Sequence, residues 1–157
     1  MSVTLLVLFL HIAVMFAAIT VALGTSIFLR IAYMTGQVAA VRGFAMVAQR
    51  AGPLIPILFV VGGLLGLITA ISFGFNLLAP WLIIAYVLWV VAMVMGVTGG
   101  RALGMKLGAA LATATDGPIT PELRAIVSEP RYRAESIIEY AIIVAAIFDM
   151  VVKPFSQ

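Results

Sequence analysis

The sequence predicts an all-α fold, a bundle of four transmembrane helices forming one integral membrane domain over residues 1–157. Three observations predict it. Of the 157 residues, 64% are hydrophobic and only 10% are charged, with a mean hydropathy of +1.25, which leaves too little polar surface for a soluble domain of this size. Four apolar runs are long enough for membrane-crossing helices, which need about 17–25 residues. Eight of the nine Lys and Arg residues gather in two of the connections between those runs instead of spreading over the chain.

The first run extends from about Val3 to Leu29. No basic residue precedes it, and it continues far past the ~7–15 apolar residues of a secretory signal, so it reads as a true span. The connection that follows carries Arg30, Arg42 and Arg50. Within it, Ala39 to Ala51 has the composition of a short basic amphipathic helix lying along the membrane surface. The second span runs from about Pro53 to Phe75, and the connection from Gly74 to Pro80 has no charge.

The third span covers about Trp81 to Gly100 and should continue as a helix past the membrane, because Ala102 to Ala114 contains no breaker except glycine. Thr115-Asp116-Gly117-Pro118 is a turn-forming cluster that should stop it. Thr120-Pro121-Glu122 has the pattern of an N-cap followed by proline in the first turn, opening a short helix to about Val127. Ser128-Glu129-Pro130 repeats that pattern and should start the fourth helix. Its membrane part runs from about Ser136 to Val152 and ends at Pro154.

Arg101, Lys106, Arg124, Arg131 and Arg133 lie between the third and fourth spans, and only Lys153 lies near the other face. Lys and Arg accumulate on the cytoplasmic side, so both long connections are expected inside and both termini outside. Trp81 and Tyr86 are expected in an outer aromatic girdle, and Tyr33, Tyr132 and Tyr140 in an inner one. Charges that flank apolar spans favour lipid headgroups as partners and argue against nucleic acid.

Small residues recur every fourth position: Gly62, Gly66, Ala70 and Gly74 on the second helix, then Ala92, Gly96, Gly100, Gly104, Gly108 and Ala112 on the third. Such ridges let backbones approach closely. They could serve packing within the chain, a homo-oligomer seam, or room for a flat cofactor.

Ionisable residues inside a membrane are costly and are the natural functional candidates. Here they are His11, Glu139 and Asp149. His11 shares a helix face with Met15, Ala18 and Ala22, and Asp149 lies at a similar depth on the fourth helix. A carboxylate that orients a histidine is a common arrangement behind a metal or haem iron, while the alternative is a polar pair that locks two helices in register. Asp149 also has Lys153 at i+4 as a possible partner. Glu139 sits near the inner end, where Arg30 or Arg101 could neutralise it. With one histidine and no cysteine, a zinc or copper site built from this chain alone is disfavoured. The glycines lack phosphate-loop spacing, no span is broken in the manner of transporters, and the polar residues line no continuous track for a solute.

Leu10-His11-Ile12 in the first span, Pro121-Glu122-Leu123-Arg124 with Glu129-Pro130-Arg131, and the ending Asp149-Met150-Val151-Val152-Lys153-Pro154-Phe155 together carry a resemblance. The chain resembles a bacterial family of small four-helix integral membrane proteins of unknown function. That resemblance implies a four-helix bundle in the bacterial cytoplasmic membrane and no particular activity. More distantly, the layout resembles copper-resistance D proteins and HemJ-type protoporphyrinogen oxidases. The latter implies haem b, with His11 at the position of a first-helix axial ligand and Phe28-Leu29-Arg30 similar to the segment that follows it. The third span has no histidine, so a second ligand would have to be Met15, Met93 or Met95, or come from another chain. Two functions are therefore expected: an accessory or assembly subunit of a larger respiratory or photosynthetic membrane complex, partnered by other membrane subunits or by its own copies, or a haem b-binding redox protein with His11 as ligand and Asp149 behind it.

Overall fold

The computed structural model describes residues 2–154, and the described residues form six helices: α1 (Val3–Met34), α2 (Val38–Ala51), α3 (Leu54–Ser72), α4 (Pro80–Thr113), α5 (Pro121–Val127) and α6 (Pro130–Val152). No strand occurs among them apart from an isolated bridge between Gln37 and Pro118. Three segments, Val3–Met34, Val38–Ser72 and Pro80–Thr113, are long and apolar enough to cross a membrane.

Local chemistry explains the ends. Ser2 caps α1 by accepting the Leu5 N–H at 3.3 Å, which satisfies one of the unpaired amides of the first turn. The helix then runs past Leu29, so Arg30 lies on it instead of leaving it. It stops before Gly36, which adopts φ +72°, a conformation other residues reach only with strain. At the end of α3, Gly74 has φ +70°, its N–H donates to the Ile71 carbonyl, and the Phe75 N–H reaches back to Ala70. This is the Schellman closure of a helix. Thus Gly74 ends the second ridge by conformation and not by packing, since nothing lies within 4 Å of where its Cβ would be. Thr120 caps α5 by accepting the Leu123 N–H at 3.2 Å. Before α6 the proline is repeated but the cap is not: Pro130 opens the helix, while Ser128 donates its hydroxyl to the Arg124 carbonyl at 2.6 Å, closing α5.

Two antiparallel pairs build the bundle. In the first, α1 lies against α3, with His11 beside Gly66 and Met15 beside Gly62. In the second, α4 lies along α6 in a register read from four contacts. Lys106 bonds Glu129 at 2.9 Å, Gly99 meets Glu135, Gly96 meets Glu139, and Trp81 faces the Lys153 ammonium. A core of Ala18, Phe59 and Ala92, packed by Met15, Trp89, Met93 and Ile142, joins the four long helices. Large apolar side chains elsewhere on them are exposed, Phe16 at 72%, Leu64 at 56% and Phe148 at 60% among them. In water that surface would drive aggregation, whereas in a bilayer it is the normal exterior.

A second core sits at one end, where Leu29, Ala32, Val38, Val41, Leu107, Ala110, Leu111 and Leu123 come together. It gathers the end of α1, the first half of α2, the end of α4, and α5. The amphipathic α2 therefore buries Val38 and Val41 against protein, and Met46 and Val47, 58% and 65% exposed, are the large apolar side chains it leaves for a lipid surface. Arg42 ties this module together by bonding Asp116 and the Ala114 carbonyl at 2.7 Å. The Glu129 carboxylate, with help from Tyr132, raises the Lys106 ammonium above the ordinary lysine value.

At the other end Ala70, Trp81 and Leu82 form a small core with Phe75, Ala79 and Tyr86. Trp81 is 7% exposed and the Tyr86 hydroxyl is buried. Neither forms the outer girdle expected of them. The α3–α4 turn is short, so these rings fold over the bundle end and seal it.

Candidate functional site

The polar groups inside the bundle concentrate near its Trp81 end. His11 is 9% exposed, and its Nδ1 lies 2.8 Å from the Gly62 carbonyl oxygen. A carbonyl only accepts, so this nitrogen carries the ring proton and donates it, and in the neutral ring Nε2 keeps its lone pair. The ring packs on α3 at Gly66, where an added Cβ would lie 2.8 Å from Cε1. Glycine at 66 is thus required by the histidine. Beside it, Trp89 donates its Nε1–H to the Phe59 carbonyl at 2.9 Å, and its ring takes the space over Gly63. Nothing in the residue pattern marks Trp89 as binding a backbone carbonyl, although the Gly62-Gly63 pair is a legible sign of close approach.

Asp149 is 3% exposed, and neither of its carboxylate oxygens has a hydrogen-bond partner among the described residues. It forms no hydrogen bond to His11, whose ring bonds the Gly62 carbonyl instead. Nor does it pair with Lys153. That residue caps α6 in the left-handed conformation, and its ammonium sits 4.5 Å from the Phe75 ring centre and 5.5 Å from that of Trp81. Cation–π attraction at the bundle end thus replaces the expected i+4 ion pair.

The helix registers place these groups at one level. The α4–α6 register sets Asp149 beside Ala85 and Tyr86. On the first pair, His11 is level with Gly66. Trp89 bonding at Phe59 and Trp81 packing with Ala70 then bring that level of α3 alongside Tyr86. His11, Tyr86 and Asp149 therefore come from three helices to the same height. Tyr86 Oη is the third buried polar atom without a partner, a residue that the sequence placed at the lipid interface.

Glu139 is apart from this layer. It is half-buried, with one oxygen 3.7 Å from where a Gly96 Cβ would stand. Neither Arg30 nor Arg101 forms an ion pair with it among the described residues, while its neighbour Glu135 bonds Arg131 at 2.7 Å. Ile142, Ile143 and Ala146 separate Glu139 from Asp149 along α6, so no polar path connects the two carboxylates on that helix. The third-helix ridge is also divided. Gly96, with Gly99 beside it, receives the glutamates, whereas Gly100, Gly104 and Gly108 have nothing within 4 Å of a would-be Cβ. Among the described residues no three metal-ligating side chains cluster.

For a haem, the donor set supplies one axial ligand. His11 Nε2 has the lone pair, and its Nδ1–H is held by a backbone carbonyl in the manner of iron-binding histidines. Met15 packs on Gly62 and Met93 against the central core. No family model, curated protein or solved structure matches the chain.

Proposed function

We propose that this chain is a four-span integral membrane protein, with both termini outside the cytoplasm, that serves as a non-catalytic accessory or assembly subunit of a larger respiratory or photosynthetic membrane complex. Its resemblance to the bacterial four-helix membrane family belongs to the same proposal. The observation that carries the reading is the Asp149 carboxylate, 3% exposed near one end of the bundle and without a hydrogen-bond partner among the described residues. A buried polar group without a hydrogen bond costs free energy, and a charged one costs much more. A protein complete in itself would satisfy such a group within its own fold, whereas a subunit leaves it for its partner. The uncovered glycines 100 and 104 on α4 support the same conclusion. The fourth span is α6, whose inner end carries the charges Arg131, Arg133 and Glu135 and whose length follows α4.

Purification from native membranes in a mild detergent tests this. The expected outcome is co-purification of a stoichiometric membrane partner that survives a second chromatographic step. A chain that elutes alone, under conditions that preserve other membrane complexes, contradicts it.

A second reading rests on the His11 tautomer. If the protein binds haem b, His11 Nε2 holds the iron and the Gly62 carbonyl fixes the ring; the haem supplies the one-electron chemistry. The reading predicts a Soret band in protein from haem-replete cells that is lost in His11→Ala. A colourless wild type removes it.

A further inference from the structure

Beside Asp149 the outer surface of α4 and α6 carries a groove. Ile84 and Leu88 line it from α4, and Ala141, Val144, Ala145 and Phe148 from α6, with Asp149 at its end. It follows α6 from Tyr140 to the last turn, roughly 18 Å at 1.5 Å per residue, and apart from Asp149 its lining is almost wholly apolar. Ala141 and Ala145 are one turn apart and exposed, so an approaching backbone meets no bulky side chain there.

We infer that this groove seats a transmembrane helix of a partner protein that carries a lysine at the level of Asp149. Both oxygens of Asp149 are buried and lack partners among the described residues. An ammonium offers three N–H donors and no acceptor, which matches a carboxylate. A lipid chain fills an apolar groove equally well but offers no donor. A second copy of this chain is a poor source. Eight of its nine basic residues flank or lie outside the apolar stretches toward the opposite end, and the ninth, Lys153, is held over Phe75 and Trp81. The inference rests on the subunit reading and specifies its partner.

The test uses the full chain in phosphatidylcholine vesicles, whose headgroup has no N–H donor. The chain has no cysteine, so Leu78→Cys in the α3–α4 turn takes a single donor fluorophore. Two acceptor-labelled leucine–alanine transmembrane peptides are compared, one with a single lysine one turn from its outer end and one with leucine there. The lysine peptide should associate about tenfold more tightly with the wild type, the scale of an interhelical polar contact. Asp149→Asn should remove that preference, and Ala145→Phe should weaken both peptides by filling the groove. Circular dichroism establishes that each variant keeps its helices. Equal association of the two peptides, or a preference untouched by Asp149→Asn and Ala145→Phe, overturns the inference. So does loss of the preference when phosphatidylethanolamine is added, which would assign the carboxylate to a lipid amine. Peptide recognition by a chain that co-purifies with no subunit would count against the complex alone. Co-purification unaffected by Asp149→Asn and Ala145→Phe would count against the groove alone.

Discussion

The spacing between α1 and α3 is set at single residues. Gly66 lies under the His11 ring, and a methyl group there would stand 2.8 Å from Cε1 and 3.1 Å from Nδ1. The ring cannot swing aside without giving up its bond to the Gly62 carbonyl, and in an apolar interior that bond has no substitute. Gly66→Ala should therefore cost about 1–3 kcal/mol, the usual range for overpacking a fitted interface. Gly100→Ala is the control. Nothing lies within 4 Å of its would-be Cβ, so the change should stay within about 0.5 kcal/mol, as for a surface site. Reversible unfolding in mixed detergent micelles measures both. Equal effects at the two positions would show that the histidine does not set the helix spacing.

At the scale of elements, much of the fold was legible because helix ends are decided locally. The Thr120-Pro121 start of α5, its end at Val127, the long continuation of α4 and the stop before Pro154 all follow from caps, prolines and turn residues. What faces what was not legible. The four-residue spacing of glycines marks a smooth helix face but does not name the side chain that fills it. Gly62 and Gly66 receive α1, Gly96 receives a glutamate, and Gly100 and Gly104 receive nothing. The spacing of Asp149 and Lys153 suggested an ion pair because it assumed a continuing helix. The left-handed cap at Lys153 turns the chain out of the helical path and leaves its ammonium over the aromatic rings. Trp81 and Tyr86 have the composition of an interfacial girdle, but a turn of a few residues folds them inward. Each misreading concerns a tertiary partner, which periodicity along one helix does not encode.

For the whole molecule, one structural fact bears on orientation. The ends of α1 and α4 share a core with α2 and α5, so both basic connections lie at the same end of the bundle, and the uncharged α3–α4 turn lies at the other. Positive residues are retained on the cytoplasmic side, so the proposed topology has the module of α2 and α5 inside. The absence of cysteine makes this directly measurable with single introduced thiols. Leu78→Cys, at a position 77% exposed in the turn, should react with a membrane-impermeant maleimide added to intact spheroplasts. Gln49→Cys and Ala125→Cys, exposed on α2 and α5, should react only after the membrane is opened. The reverse pattern would invert the topology. Val152→Cys, exposed at the end of α6, decides the number of spans. Labelling from outside requires α6 to cross the bilayer despite Glu139 and Asp149, because its start is tied to the inner module through Lys106 and Glu129. Labelling only after opening would contradict that crossing, and with it the register that sets Asp149 and Val152 at the Trp81 end of α4.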